Sequence, residues 1–180
     1  MLIKASESCL FVVDVQSRLL PVMYDPDRLV HNCRVLLQAA RRLEIPILAC
    51  EQYPQGIGAT DEALADLIPT SSVAEKIHFS GYAEPALRDR IDRAECRQFV
   101  LSGIEAHVCV LQTALDLAEA GYETFVVADA TSSRAKADYK AALRRLRDFG
   151  VTIVTTEMVV FEWLHRADTP VFKEILQLIK

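Results

Sequence analysis

Apolar residues are grouped along the chain in two ways. Short runs rich in β-branched and aromatic residues end at turn residues or charges, which is typical of buried strands. Between these runs, apolar residues recur every three to four positions, which is typical of amphipathic helices. The pattern predicts strands at 9–15, 46–50, 73–77, 98–101, 123–128 and 151–155, a helix that begins at Pro26, helices at 84–93, 135–149, 157–165 and 170–179, and one more helix that ends at Gly121.

This alternation predicts the fold class. Strands that alternate with helices form parallel sheets that are covered by helices on both faces and joined by right-handed crossovers. We therefore expect a single α/β domain over residues 1–180, with a doubly wound, six-stranded parallel sheet in a three-layer α/β/α, Rossmann-like arrangement. In such sheets, ligands bind at the carboxyl ends of the strands, where the strand order reverses.

Two chemically active side chains lie at the end of a predicted strand or shortly after it. Asp14 lies near the carboxyl end of the apolar run 9–15, where burial of a carboxylate without a partner is costly. Cys109 follows the strand 98–101 and falls in the first turn of the next helix, where backbone N–H groups and the helix dipole lower a thiol pKa. If the strand order reverses between the first and fourth strands, both side chains flank one crevice.

Neither residue establishes a site by itself, because a lone helical cysteine is most often a core residue and an aspartate at a strand end can cap a loop. Three further residues are candidates for lining a pocket. Gln16 is either a hydrogen-bond partner near Asp14 or a polar loop residue. Tyr53, in the Gly- and Pro-rich loop 51–60, is either a pocket wall or an exposed side chain, and Phe79 follows the third strand.

Composition limits the classes of partner. The 180 residues carry a formal net charge of -5, without a basic block or stripe. Nucleic acid and anionic membrane surfaces are therefore unfavourable partners on electrostatic grounds. The 51% of hydrophobic residues is enough for a full core.

Cysteine usage and the N-terminal sequence bear on the compartment. An odd number of cysteines without a CxxC pair is typical of a reduced cytosolic protein. We find no segment resembling a signal peptide and no apolar run of membrane-spanning length. We expect a cytoplasmic protein in which the four other cysteines are core residues, namely Cys9, Cys33, Cys50 and Cys96.

Three ordered motifs resemble one enzyme family. VVDVQ contains Asp14, EK followed by FS surrounds Lys76, and GIEAHVCVLQTALDL contains Cys109, with VVADATSSR after the fifth strand. Over nearly its whole length the chain is similar to the isochorismatase-like cysteine hydrolases, which are related to nicotinamidases and N-carbamoylsarcosine amidohydrolase. The loop EQYPQGIG resembles the subgroup of small isochorismatase-domain proteins.

The resemblance implies a catalytic triad of Asp14, Lys76 and Cys109. It also implies a cis peptide bond between Ile104 and Glu105, and an oxyanion hole formed by the backbone N–H groups of Glu105 and Cys109. An ionised Asp14 alone would raise the thiol pKa, because two like charges about 4 Å apart repel by roughly 4 kcal/mol at an effective dielectric of about 20. Lys76 supplies the compensating positive charge.

Two sequence differences from members of the family limit the reactions that we expect of this chain. Nicotinamidases carry an Asp-x-His metal motif after the second strand, where this chain has Glu-Gln-Tyr at 51–53. We therefore expect no metal and no other cofactor. The true isochorismatases of the family lack the cysteine, so Cys109 argues against their vinyl-ether hydrolysis.

These features predict a hydrolase that cleaves the C–N bond of a small amide through a thioester on Cys109. Two alternatives stay open: a catalytically silent isochorismatase-domain binding or scaffold protein, and a thiol redox sensor, for which no resolving cysteine is evident. A Cys-His dyad with His107 is disfavoured, because a side chain two residues before the cysteine points elsewhere. The resemblance also implies a homo-oligomer, and the apolar segment 158–163 with Trp163 either forms a subunit contact or packs on the sheet.

Overall fold

The computed structural model describes residues 1–179. Its six strands are β1 Ser8–Val13, β2 Ile47–Gln52, β3 Val73–Lys76, β4 Gln98–Ile104, β5 Glu123–Ser132 and β6 Thr152–Val154. They form one parallel sheet in the order β3-β2-β1-β4-β5-β6. The prediction of an α/β fold with a six-stranded parallel sheet is confirmed.

The described residues also form eight α-helices. They are α1 Pro26–Arg42, α2 Pro54–Ile57, α3 Glu62–Ala65, α4 Pro85–Arg93, α5 Leu111–Glu119, α6 Lys136–Phe149, α7 Thr156–Leu164 and α8 Pro170–Ile175. Buried residues of α1, α3, α7 and α8 pack on one face of the sheet, and those of α4, α5 and α6 pack on the other. A π-helical turn, Ala106–Val110, precedes α5.

Alternation along β1 divides its side chains between the two cores. Leu10 and Val12 belong to the core beneath α1 and α7, whereas Phe11 and Val13 belong to the core beneath α4, α5 and α6. Because both faces of this strand are covered, its sequence is almost continuously apolar. β1 lies between β2 and β4, so the strand order reverses at β1, as expected of a ligand-binding edge.

The beginning of α6 differs from the prediction. The strand β5 extends to Ser132 rather than ending at position 128, because its last residues pair with β4. Thr131 and Ser132 therefore belong to this strand. α6 begins at Lys136, and its N-cap residue Ala135 makes no side-chain capping bond.

The helix α7 contributes both a core residue and an exposed surface. Trp163 is buried against the sheet, where its Nε1 donates to Ser8 Oγ at 3.1 Å. Met158 and Phe161 of the same helix are exposed. Trp163 therefore belongs to the ordinary core, and a subunit contact in this region stays a prediction. Within residues 1–179, no helix has both the length and the apolarity that a membrane crossing requires.

Candidate active site

Asp14 is the residue that directly follows β1, where the strand order reverses. Its φ of 49° lies in the left-handed region, which aspartate and asparagine adopt more readily than most other non-glycine residues. Its backbone N–H donates to the carbonyl oxygen of Cys50 in β2 at 3.1 Å. The residue is only 1% exposed, so its carboxylate lies inside the protein.

Lys76 is the last residue of β3 and pairs in register with Gln52 of β2. Its Nζ lies 2.7 Å from Asp14 Oδ2, and both side chains are buried. The ammonium group also donates to Gln52 Oε1 at 2.6 Å and to the carbonyl oxygens of His78 and Phe79 at 3.1 Å each. Four acceptors, of which Asp14 Oδ2 is one, therefore share the three hydrogen atoms of this buried ammonium group.

Cys109 lies in the π-helical turn that joins β4 to α5. Because α5 begins only at Leu111, the prediction that this cysteine lies in the first turn of an α-helix is wrong. The wider turn places the N–H of Val110 3.2 Å from the carbonyl oxygen of Glu105, five residues earlier. Cys109 is 7% exposed.

The protonation state of Cys109 also differs from the sequence prediction. Burial, and after it the charge of Asp14, raises the pKa of the Cys109 thiol to about 12, although Lys76 partly opposes this rise. The predicted lowering of the pKa is therefore wrong, since a buried sulfur loses hydration of its charged form. The resting group is a neutral thiol at physiological pH.

The two charged groups beside Cys109 are also perturbed. Burial raises the pKa of Asp14, although Lys76, Cys50 and Cys109 lower it in part. Burial lowers the pKa of Lys76, but electrostatic interactions with Cys50, Asp14 and Cys109 act in the opposite direction and leave it raised. Asp14 is thus a stronger base than an exposed aspartate, and Lys76 stays protonated.

Two neighbours of these groups were not identified from the sequence. Cys50 Sγ lies 3.0 Å from Asp14 Oδ1, and Gln52 holds Lys76 through its amide oxygen while its Nε2 donates to the carbonyl oxygen of Ile77 at 2.9 Å. Both residues lie near the carboxyl end of β2. That position is a signal available in the sequence, but their contacts depend on the register of β2 against its neighbours.

The side chain of Gln16 bonds to the backbone of a neighbouring loop, and its role in lining a pocket stays a prediction. It is fully buried. Its Nε2 donates to the carbonyl oxygens of Gln52 at 3.0 Å and Gly58 at 2.5 Å, and its Oε1 accepts from the N–H of Gln52 at 2.8 Å. Gln16 therefore anchors the loop that follows β2.

Tyr53 and Phe79 are both about half exposed. Tyr53 lines a surface groove of about 220 Å³ together with Ile77 and Glu84. Phe79 reaches Lys76 through its carbonyl oxygen rather than its ring. Their role as pocket walls stays a prediction.

Glu105 and His107 flank the turn that carries the cysteine. The peptide bond between Ile104 and Glu105 is cis, and the Glu105 carboxylate pairs with Arg134 at 2.9 Å. His107 Nδ1 lies 2.9 Å from Ser133 Oγ, so this ring nitrogen is engaged with a hydroxyl group. Among residues 1–179, no three His, Cys, Asp or Glu side chains are grouped so that they could hold a metal ion.

Comparison with known proteins gives a consistent relationship over most of the chain. The isochorismatase domain family matches residues 8–158. Isochorismatase domain-containing protein 1 of Danio rerio is 39% identical over 173 residues, which cover 96% of this chain and 61% of that relative. The chain therefore spans less than two thirds of that relative's length.

Solved structures share the fold. The structure of MAR1 ribonuclease from Caenorhabditis elegans has a TM-score of 0.93 and 35% identity, with 99% of this chain and 92% of that chain covered. The YcaC gene product of Escherichia coli, described as an octameric hydrolase of unknown specificity, has a TM-score of 0.93 and 20% identity, with 99% and 90% covered. At 20% identity, the second similarity shows the fold alone.

Proposed function

This chain belongs to the isochorismatase family, and on that basis we propose that it is a cysteine hydrolase that cleaves the C–N bond of a small, neutral amide. Family membership supports a hydrolase-like role. The observation that carries the finer proposal is the convergence of Asp14, Lys76 and Cys109, all buried, at the strand-order reversal. A buried ion pair is often less stabilising than apolar residues of the same size, so its presence here favours a chemical role.

In the first step, the nucleophile forms as it attacks. The Cys109 sulfur bonds to the amide carbon while the thiol proton moves to Asp14 Oδ2. The tetrahedral intermediate then collapses. The C–N bond breaks, Asp14 gives its proton to the departing nitrogen, and a thioester remains on Cys109.

In the second step, water releases the acid. Asp14 accepts a proton from a water molecule while the oxygen of that water attacks the thioester carbon. The C–S bond breaks, and Asp14 returns the proton to the Cys109 sulfur. The net reaction consumes one amide and one water and yields a carboxylic acid and an amine, without any change of oxidation state.

Lys76 and two backbone N–H groups stabilise the negative charge that develops on the tetrahedral intermediate. When Asp14 holds the transferred proton, the positive charge of Lys76 offsets the negative charge of the tetrahedral oxyanion. The backbone N–H groups of Glu105 and Cys109 are the donors that we assign to this oxyanion. In the resting site, ionised Asp14 and protonated Lys76 cancel each other, so a neutral substrate enters without leaving an unbalanced buried charge.

A polyanionic substrate is not favoured. The C. elegans neighbour is called a ribonuclease, but binding of nucleic acid depends on neutralising phosphates with basic side chains. This chain has a net charge of -5. We propose a small-molecule substrate in place of nucleic acid, and a cytoplasmic location stays a prediction.

We also propose that the protein is a homo-oligomer. The E. coli neighbour is described as octameric. The exposed side chains of Met158 and Phe161 provide apolar surface of the kind that subunits bury. Sedimentation equilibrium tests this proposal, which a monomer at all concentrations would contradict.

Two measurements test the proposed chemistry. Iodoacetamide at neutral pH, followed by peptide mass spectrometry, is expected to label Cys109. A screen of small primary amides by ammonia release is expected to identify at least one substrate. Cys109→Ala and Asp14→Asn should both abolish turnover while the far-UV circular dichroism stays that of the wild type.

Cys33 is an internal control for the labelling. Burial raises the pKa of the Cys33 thiol to about 12 as well, but this residue lies on α1, in the core on the other face of the sheet. Labelling of Cys109 without labelling of Cys33 therefore indicates an activated nucleophile rather than general opening of the protein. A wild-type protein that shows neither labelling nor turnover would favour a silent binding protein.

A further inference from the structure

The two carboxylate oxygens of Asp14 have different neighbours. Oδ1 lies 3.0 Å from Cys50 Sγ, and Oδ2 lies 2.7 Å from Lys76 Nζ. Burial and the charge of Asp14 raise the pKa of Cys50 well above its ordinary value, so this thiol keeps its proton and donates it to Oδ1. The adjacent backbone bond, from Asp14 N–H to the Cys50 carbonyl oxygen, holds the two residues together.

The hydrogen atoms of Lys76 are shared among several acceptors. An ammonium group has three hydrogens, and three acceptors surround it in addition to Asp14 Oδ2. Two are backbone carbonyl oxygens, and the third, at 2.6 Å, is the side-chain oxygen of Gln52. Gln52 is itself fixed, because its Nε2 donates to the Ile77 carbonyl oxygen and its backbone bonds to Gln16. Gln52 Oε1, at 2.6 Å, therefore competes with Asp14 Oδ2, at 2.7 Å, for a Lys76 hydrogen.

We propose that Cys50 and Gln52 are positioning residues that give the two oxygens of Asp14 separate tasks. Cys50 occupies Oδ1 with its S–H group. Gln52 competes with Oδ2 for a Lys76 hydrogen and so keeps that oxygen available to accept the proton of Cys109. This inference rests on the proposed function, in which Asp14 is the base, and neither positioning residue touches the reacting atoms.

Loss of Cys50 and loss of Gln52 should shift the titration midpoint of Asp14 in opposite directions. A hydrogen bond to the ionised carboxylate stabilises it and lowers its pKa. Without the Cys50 thiol, Oδ1 loses such a bond and the titration midpoint rises. Without the Gln52 acceptor, the hydrogen bond from Lys76 to Oδ2 strengthens, the midpoint falls and the base weakens. The titratable groups that face Asp14 are Cys50 from β2, Lys76 from β3 and Cys109 from the π-helical turn.

Two readouts test the proposal on the full-length chain. Carbon-13 NMR of protein labelled at the aspartate carboxyl groups follows the titration of Asp14, with its signal assigned from Asp14→Asn. The pH dependence of Cys109 alkylation by iodoacetamide follows its action as a base. We expect the midpoint to rise by about half a pH unit or more in Cys50→Ala and to fall by about as much in Gln52→Met. At neutral pH, alkylation should slow by roughly tenfold in Gln52→Met.

Conservative variants separate positioning from packing. Cys50→Ser keeps a donor and should not raise the midpoint, whereas Gln52→Glu keeps an acceptor and should not lower it. Cys33→Ala removes a buried thiol from the opposite core and should leave the midpoint unchanged. Each variant is first checked for a cooperative unfolding transition.

The outcomes distinguish this inference from the proposed function. Midpoints that stay at the wild-type value, or that move in the same direction in Cys50→Ala and Gln52→Met, overturn the positioning roles. If the wild type shows no Cys109 alkylation and no amide turnover, the proposed function fails. In that case the NMR midpoints still decide whether Cys50 and Gln52 control the Asp14 carboxylate.

Discussion

A Cβ atom on Gly103 in β4 would lie 2.0 Å from the carbonyl oxygen of Val13 in β1. Gly103 also has a φ of 113°, which glycine adopts far more readily than any other residue. Val13 directly precedes Asp14, and Gly103 lies on the strand that leads to Cys109. This backbone contact therefore sets the spacing of the two strand ends that carry the proposed nucleophile and base.

Replacement of Gly103 should thus disturb both the fold and the site. We expect Gly103→Ala to lower the free energy of unfolding by about 3 kcal/mol or more, because a positive φ and overpacking each cost stability. Gly121→Ala is the matched control, since Gly121 has a φ of 93° but nothing within 4 Å of its added Cβ, and it should cost only about 1 to 2 kcal/mol. Urea unfolding measures both. Equal losses in the two variants would show that the contact with Val13 is unimportant.

The buried pair of Lys76 and Asp14 should show strong coupling. Lys76→Met leaves the Asp14 carboxylate buried without its partner, which we expect to cost about 3 to 5 kcal/mol. The double variant Asp14→Asn with Lys76→Met removes both charges, so its loss should be smaller than the sum of the single losses by about 1 to 3 kcal/mol. Urea unfolding of all four proteins gives the coupling energy, and additive losses would contradict the ion pair.

Alkylation of Cys109 should depend on the ionisation of Asp14. Burial raises the pKa of Asp14, so the folded protein binds this proton more tightly than the unfolded chain. As the pH falls through the raised pKa, Asp14 becomes protonated and can no longer accept the thiol proton. We expect the midpoint of the acid limb to lie above about 3.9, the ordinary aspartate value.

Lys76→Met tests how the positive charge of Lys76 affects the midpoint of Cys109 alkylation. Loss of the positive charge should move that midpoint further upwards, because the ionised carboxylate is less stabilised. The stability penalty of this variant should accordingly shrink as the pH falls and Asp14 takes up its proton. Alkylation rates and urea unfolding across the acidic range measure both effects. A midpoint that moves downwards in the variant would refute the charge-balancing role of Lys76.

Gln16 should control the order of the loop after β2. Gln16→Leu removes its hydrogen bonds to Gln52 and Gly58 and should cost about 2 to 4 kcal/mol, because buried backbone groups lose their partners. Hydrogen exchange in the segment 53–60 should increase. Gln98→Leu is the control, since Gln98 is equally buried but bonds Lys4, Leu2 and Glu123 near the start of β4. That variant should leave exchange in 53–60 and Cys109 alkylation unchanged.

Much of the fold was predictable because its signals are local. The run 9–15 is almost wholly apolar since both faces of β1 are covered, and Asp14 is conspicuous there as the one charged residue. Cys109 is a candidate from its position after a strand, whereas Lys76 becomes one only through the motifs that resemble a family. Their approach to Asp14 was then a hypothesis about how three strand ends are arranged.

Other features had little local signal. Cys50 and Gln52 lie at or just after the predicted end of the second strand, but nothing nearby in the chain indicates which partners their side chains have. Their contacts follow from the register of β2 against β1 and β3. Gln16 likewise resembled a polar loop residue, but its amide binds the backbone of a segment more than 35 positions away.

The sequence by itself determined the alternation of strands and helices, the parallel sheet and the strand-end positions of the charged residues, because hydrophobic period and turn residues act over a few positions. The tertiary structure decided the π-helical turn at Cys109, the neutral state of its thiol and the partners of each Asp14 oxygen. Those properties depend on desolvation and strand register, and both arise only when segments distant in the chain pack together.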